Sequence, residues 1–253
     1  MNRLVSFGDS FTWGSDLKDA LDGPLEDKKN REKYLQYHFD KRKVGFFDEL
    51  DESHKKTTWH ACYSRYTWPA LYAKEKNLKY VCYAQPGCSN QGIVRQVVKY
   101  LDTLTTNDLV VINWTWIDRW DFYNDTDIPI ERWITVRPGE NQTELSKLYF
   151  KHIHNQVFAL SETLKSIVLV HNLLEMRKIN FITTTIDKTT FDTYLNYPKY
   201  IYDLQKMIKN KFTWFENDDF LSWSKKNNFK ISKKWHPLEE AHEKAFEYIN
   251  EIT

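Results

Sequence analysis

Short apolar runs separated by longer amphipathic stretches set the grain of this chain. Leu4-Val5-Ser6-Phe7 stops at Gly8 and reads as a strand of a buried parallel sheet. Residues 80–84 stop at Pro86-Gly87, residues 109–112 follow the turn Asn107-Asp108, and residues 179–185 are rich in β-branched side chains. Each predicts a further strand. Phe212-Thr213-Trp214-Phe215 is the choice for a fifth, with Phe229-Lys230-Ile231 behind it. Helical spacing fills the intervals. Residues 68–76 carry Pro69 in the first turn, where proline is tolerated. Residues 90–101 place Ile93, Val94, Val97, Val98 and Leu101 on one face. Residues 145–178 predict one long helix with Leu148, Ile153, Val157, Leu160, Leu164, Ile167 and Leu174 inward, and residues 238–252 predict a terminal amphipathic helix.

Strands alternating with helices predict βαβ units. The fold class is therefore α/β: a three-layer α/β/α sandwich around a mainly parallel, about five-stranded, flavodoxin-like sheet. One domain over residues 1–253 is expected, with two insertions. The first, at about 16–62, opens with a segment in which 21 of the 41 residues from Asp16 to Lys56 are charged, too polar for a core element. It reads as a solvated lid or helical hairpin. The second, at about 118–146, is rich in aromatic side chains. Both start at carboxyl ends of predicted strands, where open parallel sheets bind ligands.

Composition narrows the classes. A net charge of +1 gives no electrostatic case for nucleic acid. No run of roughly 18 apolar residues is evident, so no membrane span is expected. The apolar segment at the N-terminus is too short for a signal peptide, which predicts a cytoplasmic protein. The three cysteines, Cys62, Cys82 and Cys88, include no C-x-x-C pair and suit reduced thiols. Cys82 reads as a buried small hydrophobe, and Cys88, beside a glycine turn, is the thiol to watch.

Ser10 follows a buried strand through a tight turn containing Gly8. A serine hydroxyl needs a base within hydrogen-bond reach and donors for the developing oxyanion. By itself Ser10 reads equally as a helix cap. His236, ahead of Pro237 and the terminal helix, is the candidate base, and His242 reads as structural.

The stretch Leu4 to Gly14, with Gly8-Asp9-Ser10 and the later Gly14, resembles the first conserved block of the SGNH/GDSL hydrolases. Trp68-Pro69-Ala70-Leu71 resembles a helix common in that family, and Tyr83 to Asn90 resembles its second block. Trp235-His236-Pro237-Leu238 through His242 resembles its last block. The resemblance implies Ser10 as nucleophile, His236 as base and Gly87 as an oxyanion-hole backbone donor. Asn90 either adds a side-chain donor or caps the next helix. No cofactor or metal is implied.

Two departures stand out. Where the family's last block carries an acid ahead of the histidine, this chain has Lys233 and Lys234, which would disfavour an imidazolium. A backbone carbonyl, Asp218 or Asp219 are the alternatives for orienting His236. In the third block, Ile117 stands where the family has an oxyanion-hole asparagine. Thr115 and Asn113 are the candidate replacements. Trp114-Thr115 and Arg119 resemble one branch of the family, and Arg119 either grips an acidic group or pairs with a carboxylate. Trp120 and its aromatic neighbours, with Arg119 or Arg132, are the candidate substrate-binding residues. The expected function is a serine ester hydrolase acting on a small-molecule or glycan ester, with an O-acetyl group on a carbohydrate preferred. The alternative is a decayed site that binds a glycan or protein partner. The sequence leaves the oligomeric state open.

Overall fold

A computed structural model describes residues 2–18, 63–123, 133–139, 143–192 and 196–253. Four strands form one parallel sheet: β1 (Arg3–Phe7), β2 (Lys79–Cys82), β3 (Leu109–Trp114) and β6 (Asn180–Thr185). Their order is β2-β1-β3-β6, with every neighbouring pair parallel. Alternation along the strands divides the core into two layers. Val5, Phe7, Val110, Ile112 and Trp114 face helices α3 (Asn90–Tyr100), α5 (Gln156–Met176) and α6 (Lys199–Ile208). Leu4, Val111 and Ile182 face α2 (Trp68–Glu75), α7 (Phe220–Lys226) and α8 (Glu239–Ile252). This is the expected α/β/α sandwich, with the carboxyl ends of β1 and β3 opening at one edge.

Four expectations change. The fifth strand contracts to a single parallel bridge between Thr183 and Phe212, supported by Thr213 N–H donating to the Thr183 carbonyl at 2.8 Å. The chain then turns sharply: Phe215 pairs with Asp218 across Glu216 and Asn217, both left-handed at φ 51° and 69°. Phe229 to Ile231 forms no strand behind it, and only Ile231 bridges, to Pro237. The long helix breaks in two, α4 (Glu144–His152) and α5, because the Asn155 side chain caps α5 by accepting from the N–H groups of Val157 and Phe158. Ile153, at the break, and Leu148 are therefore exposed and not inward.

The fourth change concerns length and polarity. By length and composition α5 is apolar enough to cross a membrane, which the sequence reading did not anticipate. Half of that stretch is buried here, and Leu160, Leu164, Ile167, Val170 and Leu174 pack against the sheet as the core helix of the sandwich. After β3 the aromatic insertion forms an antiparallel hairpin, β4 (Trp120–Tyr123) with β5 (Trp133–Val136), which the sequence reading did not resolve. Residues 19–62 of the charged insertion, Cys62 with them, and Arg132 lie outside the described residues.

Candidate active site

The nucleophile turn is built by close packing. A Cβ on Gly8 would collide with the Thr12 side chain and the Asn113 carbonyl, so only glycine lets β1 bend here. Asp9 caps the one-turn helix α1 (Ser10–Trp13), accepting from Phe11 N–H at 3.0 Å, and Ser10 is the first residue of that helix. Gly14, left-handed at φ 82°, ends it. Two residues later Asp16 is also left-handed, φ 70°, an uncommon state for a residue with a side chain. Before it Ser15 N–H donates to the Ser10 carbonyl at 2.9 Å, and after it Leu17 is fully buried and Lys18 N–H donates to Glu239 Oε1 at 2.7 Å, so the turn is held on both sides of Asp16.

His236 comes from the other end of the chain. Its loop closes on itself: Ser232 N–H donates to the His236 carbonyl at 2.8 Å, and Trp235 N–H to the Ser232 carbonyl at 3.0 Å. The Ile231–Pro237 bridge seals its base. Pro237 precedes the N-cap of α8, Leu238, and so lies outside the first turn of that helix. The ring of Phe11 meets the imidazole edge-on at 5.2 Å. Within this frame His236 Nε2 lies 2.9 Å from Ser10 Oγ. His236 Nδ1 lies 2.8 Å from Asp16 Oδ2.

Asp16 is the residue that sequence reasoning missed. Its carboxylate also accepts from Ser232 Oγ at 2.8 Å, and Lys234 Nζ stands 3.9 Å from Oδ1. Partial burial opposes ionisation, but the hydrogen bonds from His236 and Ser232, with the charges of His236 and Lys234, outweigh it. They hold the carboxyl below its ordinary range. The alternatives weighed from sequence sit elsewhere. Asp219 caps α7, and Asp218 pairs with Lys188. Lys234 does not oppose the imidazole alone, since its ammonium is balanced by the same carboxylate.

The second turn is tied directly to the first. Gln85 N–H donates to the Gly8 carbonyl at 2.9 Å, and the Cys88 thiol donates to the same carbonyl at 3.3 Å. Gly87 adopts φ 82° there, a conformation glycine enters freely. Burial pushes the Cys88 thiol well up, so it is not a reactive thiolate. Ser89, not Asn90, caps α3, accepting from Gly92 N–H.

Asn90 is buried and works as a clamp. Its Oδ1 accepts from Thr115 N–H at 2.9 Å, while Nδ2 donates to the Thr115 carbonyl at 3.0 Å and Thr163 Oγ1 at 3.1 Å. Thr115 Oγ1 donates to Asp9 Oδ2 at 2.7 Å. Both Thr115 donors are thus already engaged, which removes its expected role as an oxyanion donor. Asn113 accepts from Thr184 Oγ1 at 2.9 Å, so its side-chain oxygen is turned to β6.

Arg119 pairs with a carboxylate and does not present itself to a ligand. One nitrogen, Nη1, donates to Asp9 Oδ2 at 3.0 Å and to the Cys88 carbonyl at 2.9 Å, and the guanidinium lies over Trp116. Trp120 leans on Phe158 of α5 at 5.1 Å. Ile117 is packed in the core, its N–H donating to Asp187. His242 is structural as expected: its Nδ1 accepts from Trp68 N–H at 3.2 Å.

No protein-family profile matches the sequence. No curated protein matches it either. Among solved structures the chain is similar to a lipolytic protein of the G-D-S-L family from Veillonella parvula, with 12% identity over 100% of this chain and 98% of that one, and a TM-score of 0.46. It is similar to a psychrotrophic esterase from a Pseudoalteromonas species, with 7% identity over 99% and 96% of the two chains and a TM-score of 0.45. It is also similar to a family 2 carbohydrate esterase from Corynascus thermopiles, with 11% identity over 99% of this chain and 65% of that one, and a TM-score of 0.46. The parallel sheet runs in the order β2-β1-β3-β6, with Gly8-Asp9-Ser10 closing β1 and His236 in the loop ahead of the last helix, an α/β/α sandwich with its candidate residues at the carboxyl edge.

Proposed function

We propose that this protein is a serine ester hydrolase whose working set is Ser10, His236 and Asp16. One observation carries the reading: a single imidazole has its two nitrogens 2.9 Å from the Ser10 hydroxyl and 2.8 Å from the Asp16 carboxylate. Asp16 fixes the tautomer, because its carboxylate accepts the Nδ1 proton and leaves Nε2 as the base. Ser10 Oγ attacks the ester carbonyl while its proton passes to Nε2. The carbonyl oxygen takes up the negative charge facing the backbone N–H groups of Ser10 and Gly87. Collapse breaks the bond to the alcohol, which takes the proton from Nε2 and leaves an acyl-Ser10. Water, deprotonated by the same nitrogen, then releases the acid and restores the hydroxyl.

Thr115, Asn90 and Arg119 serve this reading at one remove. They hold Asp9 and the Cys88 carbonyl, and so the two turns that flank the scissile bond. The exposed rings of Tyr123 and Trp133 on the hairpin support an O-acetylated carbohydrate as substrate. The competing reading, a decayed site, drew on the lysines ahead of His236 and on Ile117 in place of an oxyanion-hole asparagine; an acid arriving from Asp16 speaks against the first argument, while Thr115 and Asn113, engaged elsewhere, leave the second standing. The test is turnover of p-nitrophenyl acetate by the full chain and by Ser10→Ala, with a fluorophosphonate probe to label Ser10. Saturable turnover and labelling that vanish in Ser10→Ala are expected. Equal turnover and no labelling in both would discard the hydrolase.

A further inference from the structure

Three guanidinium groups gather where the hairpin crosses the start of α3, and two have their own carboxylate. Arg119 is paired with Asp9, whose side chain is fully buried. Arg95 donates to Asp121, also buried, and lies over the Trp133 ring at 3.9 Å. Asp121 in turn accepts from Thr135 Oγ1 at 2.7 Å, which fastens β4 to β5 and fixes where the hairpin ends. The residue that leaves the hairpin is Arg137. It is exposed, and among the described residues no carboxylate or carbonyl pairs with it.

Its position is what matters. Arg137 Nη1 lies 3.4 Å from where a side chain on Gly87 would begin. Gly87 belongs to the turn bonded to Gly8, two residues before Ser10. The same turn leads into α3, eleven residues long, whose N-terminus adds a positive field. Among the described residues, Asp9 and Asp121 are each paired with their own arginine, which leaves Arg137 as the unpaired charge beside Gly87.

We propose that Arg137 is a specificity residue that binds a carboxylate on the substrate, so that the preferred esters carry a negative charge close to the scissile carbonyl. This deepens the ester-hydrolase reading and rests on it. A carboxylate meets a guanidinium through two parallel N–H donors, a fit that lysine cannot reproduce. The charge can lie on the acyl half or on the alcohol half, as in an O-acetylated sugar acid, and both present the same group to Arg137.

The test compares the full-length protein, Arg137→Ala and Arg137→Lys on two pairs of esters. One pair is p-nitrophenyl acetate against p-nitrophenyl hemiglutarate, which places the charge on the acyl side. The other is O-acetylglucose against O-acetylglucuronate, which places it on the alcohol side. Arg137→Ala is expected to lower kcat/KM roughly ten- to a hundredfold on the charged member of at least one pair and to leave the neutral member nearly unchanged. Arg137→Lys is expected to recover part of the loss, and salt to narrow the gap. Equal losses on charged and neutral esters would place Arg137 on the oxyanion common to all esters and overturn the proposal, as would no loss at all. If no ester is turned over, the hydrolase reading falls. Calorimetric binding of monomethyl glutarate against dimethyl glutarate then decides the anion site: charge-dependent binding lost in Arg137→Ala upholds it, and its absence overturns it.

Discussion

At the scale of residues, the imidazole of His236 is oriented by a group 220 positions away in sequence. Asp16→Asn keeps the size of the side chain but offers an N–H or an amide oxygen in place of a carboxylate. A fall in kcat of roughly 10²–10⁴ with KM little changed is expected, since a wrong tautomer leaves binding intact. A downfield Nδ1 proton resonance present in the parent and missing in Asp16→Asn would check the hydrogen bond independently of turnover. Ser10, Gly87 and His236 were legible because each lies in a compact local motif. Asp16 was not, because its partner is distant in sequence and its neighbourhood reads as the first of many charges. The available signal was a lone acid two residues beyond a glycine that ends the nucleophile's own helical turn. Arg119→Met tests the other buried pair. It leaves the Asp9 carboxylate buried without its cation, and a loss of about 3–5 kcal/mol in urea unfolding is expected.

At the scale of elements, periodicity identified the buried faces better than the boundaries. Ile93, Val97 and Leu101 pack inward where helical spacing put them, whereas Val98, assigned to the same face, is exposed. The reading of residues 145–178 as one helix failed at Asn155, since apolar spacing continues through the break and only the cap interrupts it. Asn155→Ala removes the acceptor for two N–H groups and is expected to cost about 1 kcal/mol, read as a lower urea midpoint. The β4–β5 hairpin escaped notice for another reason. Its register is fixed by Asp121 with Arg95 and Thr135, a contact of buried polar groups that an apolar pattern does not register.

At the scale of the whole molecule, stability should depend on pH through two buried histidines. Burial lowers His242 from 6.5 to about 3, with the His236 charge adding to the effect. Burial, with the Lys211 charge, lowers His171 to about 4. Both stay neutral in the folded chain while the unfolded chain takes up their protons, so stability rises with pH between the folded and unfolded values. Acidification from pH 7 should therefore erode it, by up to about 1.4 kcal/mol per pH unit for each histidine below pH 6.5. Asp16 adds to the same trend lower down. Its folded value is depressed, so its contribution is complete above the unfolded carboxylate range and disappears as pH falls through the folded one. Melting temperatures across pH 3–8 for the parent and Asp16→Asn check both, the variant losing only the most acidic part of the slope.

Ser10 and Asp16 lie on one seven-residue ribbon, and His236, which stands between them, follows more than two hundred residues later. A ribosome therefore delivers Ser10 and Asp16 together and well before the loop that carries His236, and on the proposed reading both stay inert until that loop has emerged and docked. A product cut short before His236 keeps most of the sheet and a serine with nothing to take its proton. In the proposed hydrolase turnover would thus report on assembly: it would appear only in chains in which the segment carrying Ser10 and the loop carrying His236 have both been made and have found each other.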